Sequence, residues 1–129
     1  MDIDGYLERF YQFSDSVIRS IDIRFRNREK LTCVSVEIST RDSEKSEAEQ
    51  WCNVILTVEG VSEFSFQENS KASYQVISNG INMLKSNGWI YVDFGHLDSL
   101  VDSNEIRKSP AYVVGKDIFW KTMPYRESN

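Results

Sequence analysis

The residues best suited to chemistry cluster around His96, the one histidine in 129 residues. It lies in Asp93-Phe94-Gly95-His96-Leu97-Asp98, with Asp102 shortly after. An imidazole beside carboxylates suits a general base oriented by an acid, or a histidine and carboxylate metal site. The spacing follows no named motif, however, and a surface-loop histidine among solvated acids is the plainer reading. Ser14-Asp15-Ser16 offers two hydroxyls, yet a nucleophilic serine needs a base in reach, and the histidine is far away in sequence. A polar turn between two elements accounts for it. Cys33 and Cys52 are too few and too far apart for a disulfide framework or a closed zinc site. Both fall in strand-like stretches and read as buried free thiols. No catalytic set, metal or cofactor is therefore expected.

Charge and aromatic placement say more. Arg19, Arg24, Arg26, Arg28 and Lys30 gather in one segment with Phe25 between them, a combination that can follow a nucleic-acid backbone. Phe25 is read as inward-facing and the net charge is -5, so a solvated face is expected and nucleic acid is not. An acidic surface favours basic partners. Among the large aromatics, Trp51, Trp89, Tyr91 and Trp120 stand out. If Ile90, Val92 and Phe94 face a core, then Trp89, Tyr91 and Asp93 face the other way, exposed on a one-layer sheet unless a helix or the loop 95–109 covers them. Trp89, Tyr91 and Asp93, with Glu44, Glu47 and Glu49 of a polar loop, are the expected partner-binding residues.

The elements that must position these side chains are mostly strands. The stretch from Trp51 to Gln67 demands burial most strongly: Val54, Leu56 and Val58 share one side of a strand, and Phe64 and Phe66 share one side of a second after Glu59-Gly60. Earlier, Ile3, Leu7, Phe10 and Tyr11 recur at helical steps over 3–13. Val17, Ile21, Ile23 and Phe25 then alternate on one face of a strand, Asn27 to Lys30 reverse the chain, and Thr32, Val34, Val36 and Ile38 face inward on the next. Residues 40–50 contain nothing large to bury and read as a mobile polar connector. For 72–88 a helix is an alternative, but Asn79-Gly80 in mid-segment favours strands over 73–78 and 81–85. Asn87-Gly88 signals a hairpin into the strand 89–94. A turn or short helix is expected around 98–101, then a final pair, 112–114 and 118–120, joined through Gly115-Lys116-Asp117. Residues 124–129 read as a tail.

The length predicts one domain, 1–129, of β-rich α+β class: a mostly antiparallel twisted sheet or half-barrel with one short N-terminal helix. No secretory signal or membrane-spanning run is visible, so a cytoplasmic protein is expected.

In rhythm the chain resembles the small β-rich immunity proteins of bacterial polymorphic-toxin systems, those of the immunity protein 50 type. The likeness runs through Phe13-Ser14-Asp15-Ser16-Val17-Ile18-Arg19-Ser20-Ile21, where related-looking sequences carry an aromatic and then His-Asp-Ser. Ser14 stands in place of that histidine. It continues through the strand Val54-Ile55-Leu56-Thr57-Val58 with its following aromatics, through Gly80-Ile81, and through 89–94. The resemblance implies a non-catalytic protein that binds and neutralises a toxin domain, and carries over no functional residue. The rival expectation is a small hydrolase or ligand-binding domain using His96 and nearby carboxylates. A third is a subunit that self-associates through an exposed edge strand.

Overall fold

The alternation read from the sequence builds two antiparallel sheets, seen in a computed structural model that describes residues 3–67, 76–77, 79–94 and 102–127. The strands are β1 (Ser16–Arg24), β2 (Cys33–Arg41), β3 (Trp51–Glu59), β4 (Glu63–Phe66), β5 (Val76–Ile77), β6 (Asn82–Ser86), β7 (Trp89–Asp93), β8 (Ala111–Gly115) and β9 (Asp117–Pro124). Helix α1 (Ile3–Arg9) precedes them, and α2 (Ser103–Ile106) lies between β7 and β8. One sheet has the order β5-β1-β2-β3-β9 and the other β4-β8-β7-β6. The fold is thus β-rich and antiparallel with a short N-terminal helix, and its sheets do not close into a barrel. No helix among the described residues is long and apolar enough to cross a membrane.

The inner faces of the two sheets share one core. Val34, Val36 and Ile38 of β2 and Val54, Leu56 and Val58 of β3 meet Ile90, Val92, Phe94, Ala111 and Val113. Their alternation with half-buried or polar neighbours is the period-two pattern of a sheet with one buried face. Helix α1 adds Leu7, and Phe10 and Phe13 follow it into the core, each fully buried and worth about 2–3 kcal/mol of transfer free energy. Tyr6 and Phe13 both stack on Trp120, at centroid distances of 4.8 and 5.6 Å.

Several expectations need correcting. The strand β1 does not keep one phase, because a bulge between Ile18 and Ser20 shifts its register. Ile18, Ile21 and Ile23 therefore pair with inward residues of β2, while Val17 lies opposite Ser39 on the outer face. Phe25 falls beyond the strand end and is 73% exposed rather than inward. The two stretches around Gly115 form no hairpin: β8 pairs with β4 and β7, and β9 pairs with β3. The chain changes sheet there, as it does between β3 and β4. Gly115 is needed because a Cβ would meet Val58 Cγ1 at 2.4 Å and the Glu59 carbonyl at 2.9 Å.

The helix ends at Arg9, before the predicted 13, and 76–77 and 82–86 are the strands of the ambiguous segment. The helical turn expected at 98–101 lies outside the described residues. The Asn87-Gly88 hairpin is as expected, with φ of 53° and 80° and Ser86 opposite Trp89.

Candidate protein-binding surface

Between α1 and β1 the backbone does something the sequence does not announce. Tyr11, Gln12 and Phe13 have φ of 54°, 55° and 61°, and Asp15 has 56°. Left-handed backbone costs an L-residue roughly 1–2 kcal/mol, so four such residues within five need strong outside support. The support is visible. The Phe13 side chain is fully buried, and the Gln12 carbonyl accepts from the Ile81 N–H at 2.7 Å. Gly80 makes room, since a Cβ there would stand 2.7 Å from the same carbonyl.

The turn drives Phe13 inward and leaves Tyr11 outside, 40% exposed. The Arg41 guanidinium lies over the Tyr11 ring, 4.9 Å from its centroid, and Gln50 Nε2 donates to the hydroxyl at 3.2 Å. Arg41 is the cross-strand neighbour of Trp51, which is 46% exposed. Trp51 meets Tyr125 edge to face at 6.1 Å. Tyr125 in turn accepts from Arg19 Nη2 at 3.2 Å, with that guanidinium over its ring. Tyr11, Arg41, Trp51, Tyr125 and Arg19 thus form a continuous strip of aromatic rings and guanidinium groups along one end of the five-stranded sheet.

Beneath the strip, polar side chains hold the chain beyond β9 against the sheet. Asn53, fully buried, donates to Glu37 Oε2 at 2.6 Å and to the Arg126 carbonyl at 3.0 Å. Its own oxygen accepts from Ser39 Oγ at 2.8 Å. The Arg126 hydrogen bonds, followed by the donation from Asn53, hold the Glu37 carboxyl below its ordinary range despite partial burial. The residues 125–127, read as part of a loose tail, are therefore a working part of this face.

Acids border the strip. Glu47 and Glu49 form a short 3-10 turn just ahead of Gln50 and Trp51, and both are exposed. Glu44 Oε2 lies 3.6 Å from Arg9 Nε. On the helix side Asp4 and Glu8, with Leu7, Tyr11 and Gln12, line a shallow hollow of about 560 Å³. The loop 42–50 is not the unanchored connector expected. Asp42, with no exposure, takes two hydrogen bonds from Arg9 at 3.0 and 2.8 Å, and its N–H closes the loop on the Gln50 carbonyl. Arg9 holds the Asp42 carboxyl below its ordinary range.

Comparison with protein-family models, with curated proteins and with solved structures returns no match.

The other expected contact residues lie elsewhere. Trp89, Tyr91 and Asp93 do fall on the face opposite Ile90, Val92 and Phe94, but that face is covered. Tyr91 is 7% exposed, packed with Ile106 of α2 and Val114 and lying under the Arg107 guanidinium. Arg107 grips Glu63 through three contacts of 2.8 to 3.1 Å, which fastens α2 to β4 and lowers the Glu63 pKa. Trp89 is half-buried beneath Lys116 Nζ, 3.7 Å from its ring centroid. Asp93 is fully buried and accepts from Asn82 Nδ2 at 2.9 Å. A one-layer sheet would expose these side chains, and α2 makes a second layer. Of the six expected contact residues, Glu44, Glu47 and Glu49 are the exposed ones that border the strip.

The catalytic alternatives are placed as follows. His96 and Asp98 lie outside the described residues. Asp102 caps α2, accepting from the Glu105 N–H at 3.0 Å. Ser16 Oγ is buried against Thr40 Oγ1 at 2.6 Å. Burial pushes the Cys52 thiol upward, away from thiolate chemistry. Among the described residues no group of three or more His, Cys, Asp and Glu side chains could hold a metal ion.

Sequence reasoning named Trp51 among the notable aromatics but not as a contact. Its parity with Asn53 and Ile55, opposite Cys52 and Val54, already puts it on the outer face. Nothing in the sequence signals the turn that brings Tyr11 beside it.

Proposed function

We propose that this chain is a non-catalytic cytoplasmic binding module of the bacterial immunity type, neutralising a basic toxin domain docked on the strip from Tyr11 to Tyr125. The strip itself carries the reading: exposed Trp and Tyr side chains beside half-buried Arg, held in place by packing and hydrogen bonds, are the types that dominate protein interface energies. Little ordering remains to oppose association. The bordering Asp4, Glu8, Glu44, Glu47 and Glu49 favour a basic partner and speed its approach. The resemblance in rhythm to immunity proteins points the same way.

The test is recovery of the tagged protein, co-expressed with the products of its neighbouring genes, through a salt wash and mass spectrometry. One basic domain in stoichiometric amount is expected. Trp51→Ala and Tyr11→Ala, each verified as folded by circular dichroism, then weaken that complex by roughly 30-fold or more, a hot-spot loss of about 2 kcal/mol. Full-strength binding by both variants, or no basic partner at all, sinks the proposal.

A further inference from the structure

The strand β9 is an edge. It runs eight residues, Asp117 to Pro124, in unbroken register with β3, and among the described residues it has no ladder partner on its other side. Edges of this length are usually blunted by a bulge, a proline in mid-strand, charged side chains such as Lys121 here, or a covering element. Here the proline stands at the end.

The outward side chains of β9 are Asp117, Phe119, Lys121 and Met123, opposite Glu59, Thr57, Ile55 and Asn53. Phe119 is 48% exposed, and neither Asp117 nor Lys121 makes an ion pair among the described residues. The order Asp-x-Phe-x-Lys is self-complementary under antiparallel pairing. With the axis at Phe119, Asp117 of each copy faces Lys121 of the other and the two Phe119 rings meet. Ile118 then faces Trp120 on the inner side. Axes at Ile118 or Trp120 set Asp117 against Phe119 or Met123, and an axis at Lys121 sets the two ammonium groups together. One register joins both pairs of opposite charges.

We propose that β9 docks antiparallel on the β9 of a second copy of this chain, with Phe119 on the twofold axis, joining two five-stranded sheets into one of ten. Isologous pairing of this kind closes on itself and leaves no further edge to propagate from β9. The Trp51 and Tyr125 strip lies at the far end of the strand, next to Cys52 and Pro124, and stays open.

Sedimentation velocity on the full chain from about 10 µM to about 1 mM is the test. The mass is expected to rise from 15.0 kDa to twice that value. Asp117→Lys alone and Lys121→Asp alone each set like charges opposite one another twice, weakening the dimer by roughly tenfold or more. An equimolar mixture of these two variants restores it as a heterodimer, and the double variant dimerises by itself. Both positions are exposed, so unchanged thermal melts confirm folding. A wild-type monomer at every concentration, single variants as dimeric as wild type, or a mixture that fails to recover would each overturn the proposal.

Discussion

The Arg126 guanidinium holds both carboxylate oxygens of Glu37, at 2.8 and 2.9 Å, and pins the chain beyond β9 across the outer face of the sheet. Two neighbours of that pair, Asn53 and Tyr125, tie it to the core on one side and to the exposed strip on the other. Stability and the proposed binding strip therefore meet at this junction.

Asn53 is the buried hinge of that network, so Asn53→Asp exposes its electrostatics. The change replaces the amide that donates to Glu37 Oε2 at 2.6 Å with a second carboxylate. A loss of about 2–3 kcal/mol is expected at pH 7 in urea unfolding. Repulsion raises one folded-state pKa above its unfolded value, so the deficit shrinks as pH falls through that raised value. A deficit that stays constant from pH 7 to about 3 would contradict this picture.

The Arg9 and Asp42 pair predicts acid sensitivity with a definite sign. The folded-state pKa of Asp42 is depressed, chiefly by the Arg9 hydrogen bonds. Its stabilisation is complete above the unfolded value of about 4 and is lost as pH falls through the folded one. Asp42→Asn should cost about 2 kcal/mol at pH 7 and nothing further in acid. Melts of the two proteins should converge as pH falls below the ordinary carboxylate range, through the depressed folded-state value of Asp42.

The left-handed turn can be tested where no packing is at stake. Gln12 is exposed with φ of 55°, so Gln12→Gly removes strain and little else. A gain of about 0.5–1 kcal/mol is expected in urea unfolding. Gly80→Ala should do the reverse, costing at least about 2 kcal/mol, because its φ is positive and its new methyl group meets the Gln12 carbonyl. Equal effects of the two changes would mean that the turn is not strained.

Trp120 Nε1 is buried without a hydrogen-bond partner among the described residues. Trp120→Phe keeps an aromatic ring against Tyr6 and Phe13 and removes the orphaned donor. Stability within about 1 kcal/mol of wild type is expected, against a loss of about 3–5 for Trp120→Ala. A large loss in the Phe variant would show that the indole is needed for its shape.

Most of the strands were legible because each has one buried face, and a period of two survives wherever that holds. Val34, Val36, Ile38, Val54, Leu56 and Val58 needed nothing beyond alternation. The phase of β1 was not legible, since its bulge is set by pairing with β2 rather than by a local residue signal. Sheet membership at Gly115 was hidden for a similar reason: glycine marks a bend equally well in a hairpin and in a crossing between layers. Of the candidate surface, only part was legible. Glu44, Glu47 and Glu49 are unburied acids as read, while Tyr91 is covered by α2, four residues long, and Asp93 is buried beside Asn82. Tyr11 and Tyr125 reach the strip through a strained turn and a folded-back segment, neither of which leaves a periodic trace.

The crossing at Gly115 also fixes an order of events. The meander of β1, β2 and β3 can pair from local sequence, but β9 reaches β3 only after the chain has passed through the second sheet. During synthesis β3 therefore waits with one edge open, and conservative substitutions in β9 should give lower φ-values than those in β2 and β3. Tyr125 follows β9 directly. A half-made chain thus lacks Tyr125 beside Trp51, and under the proposed function binding would read out finished folding.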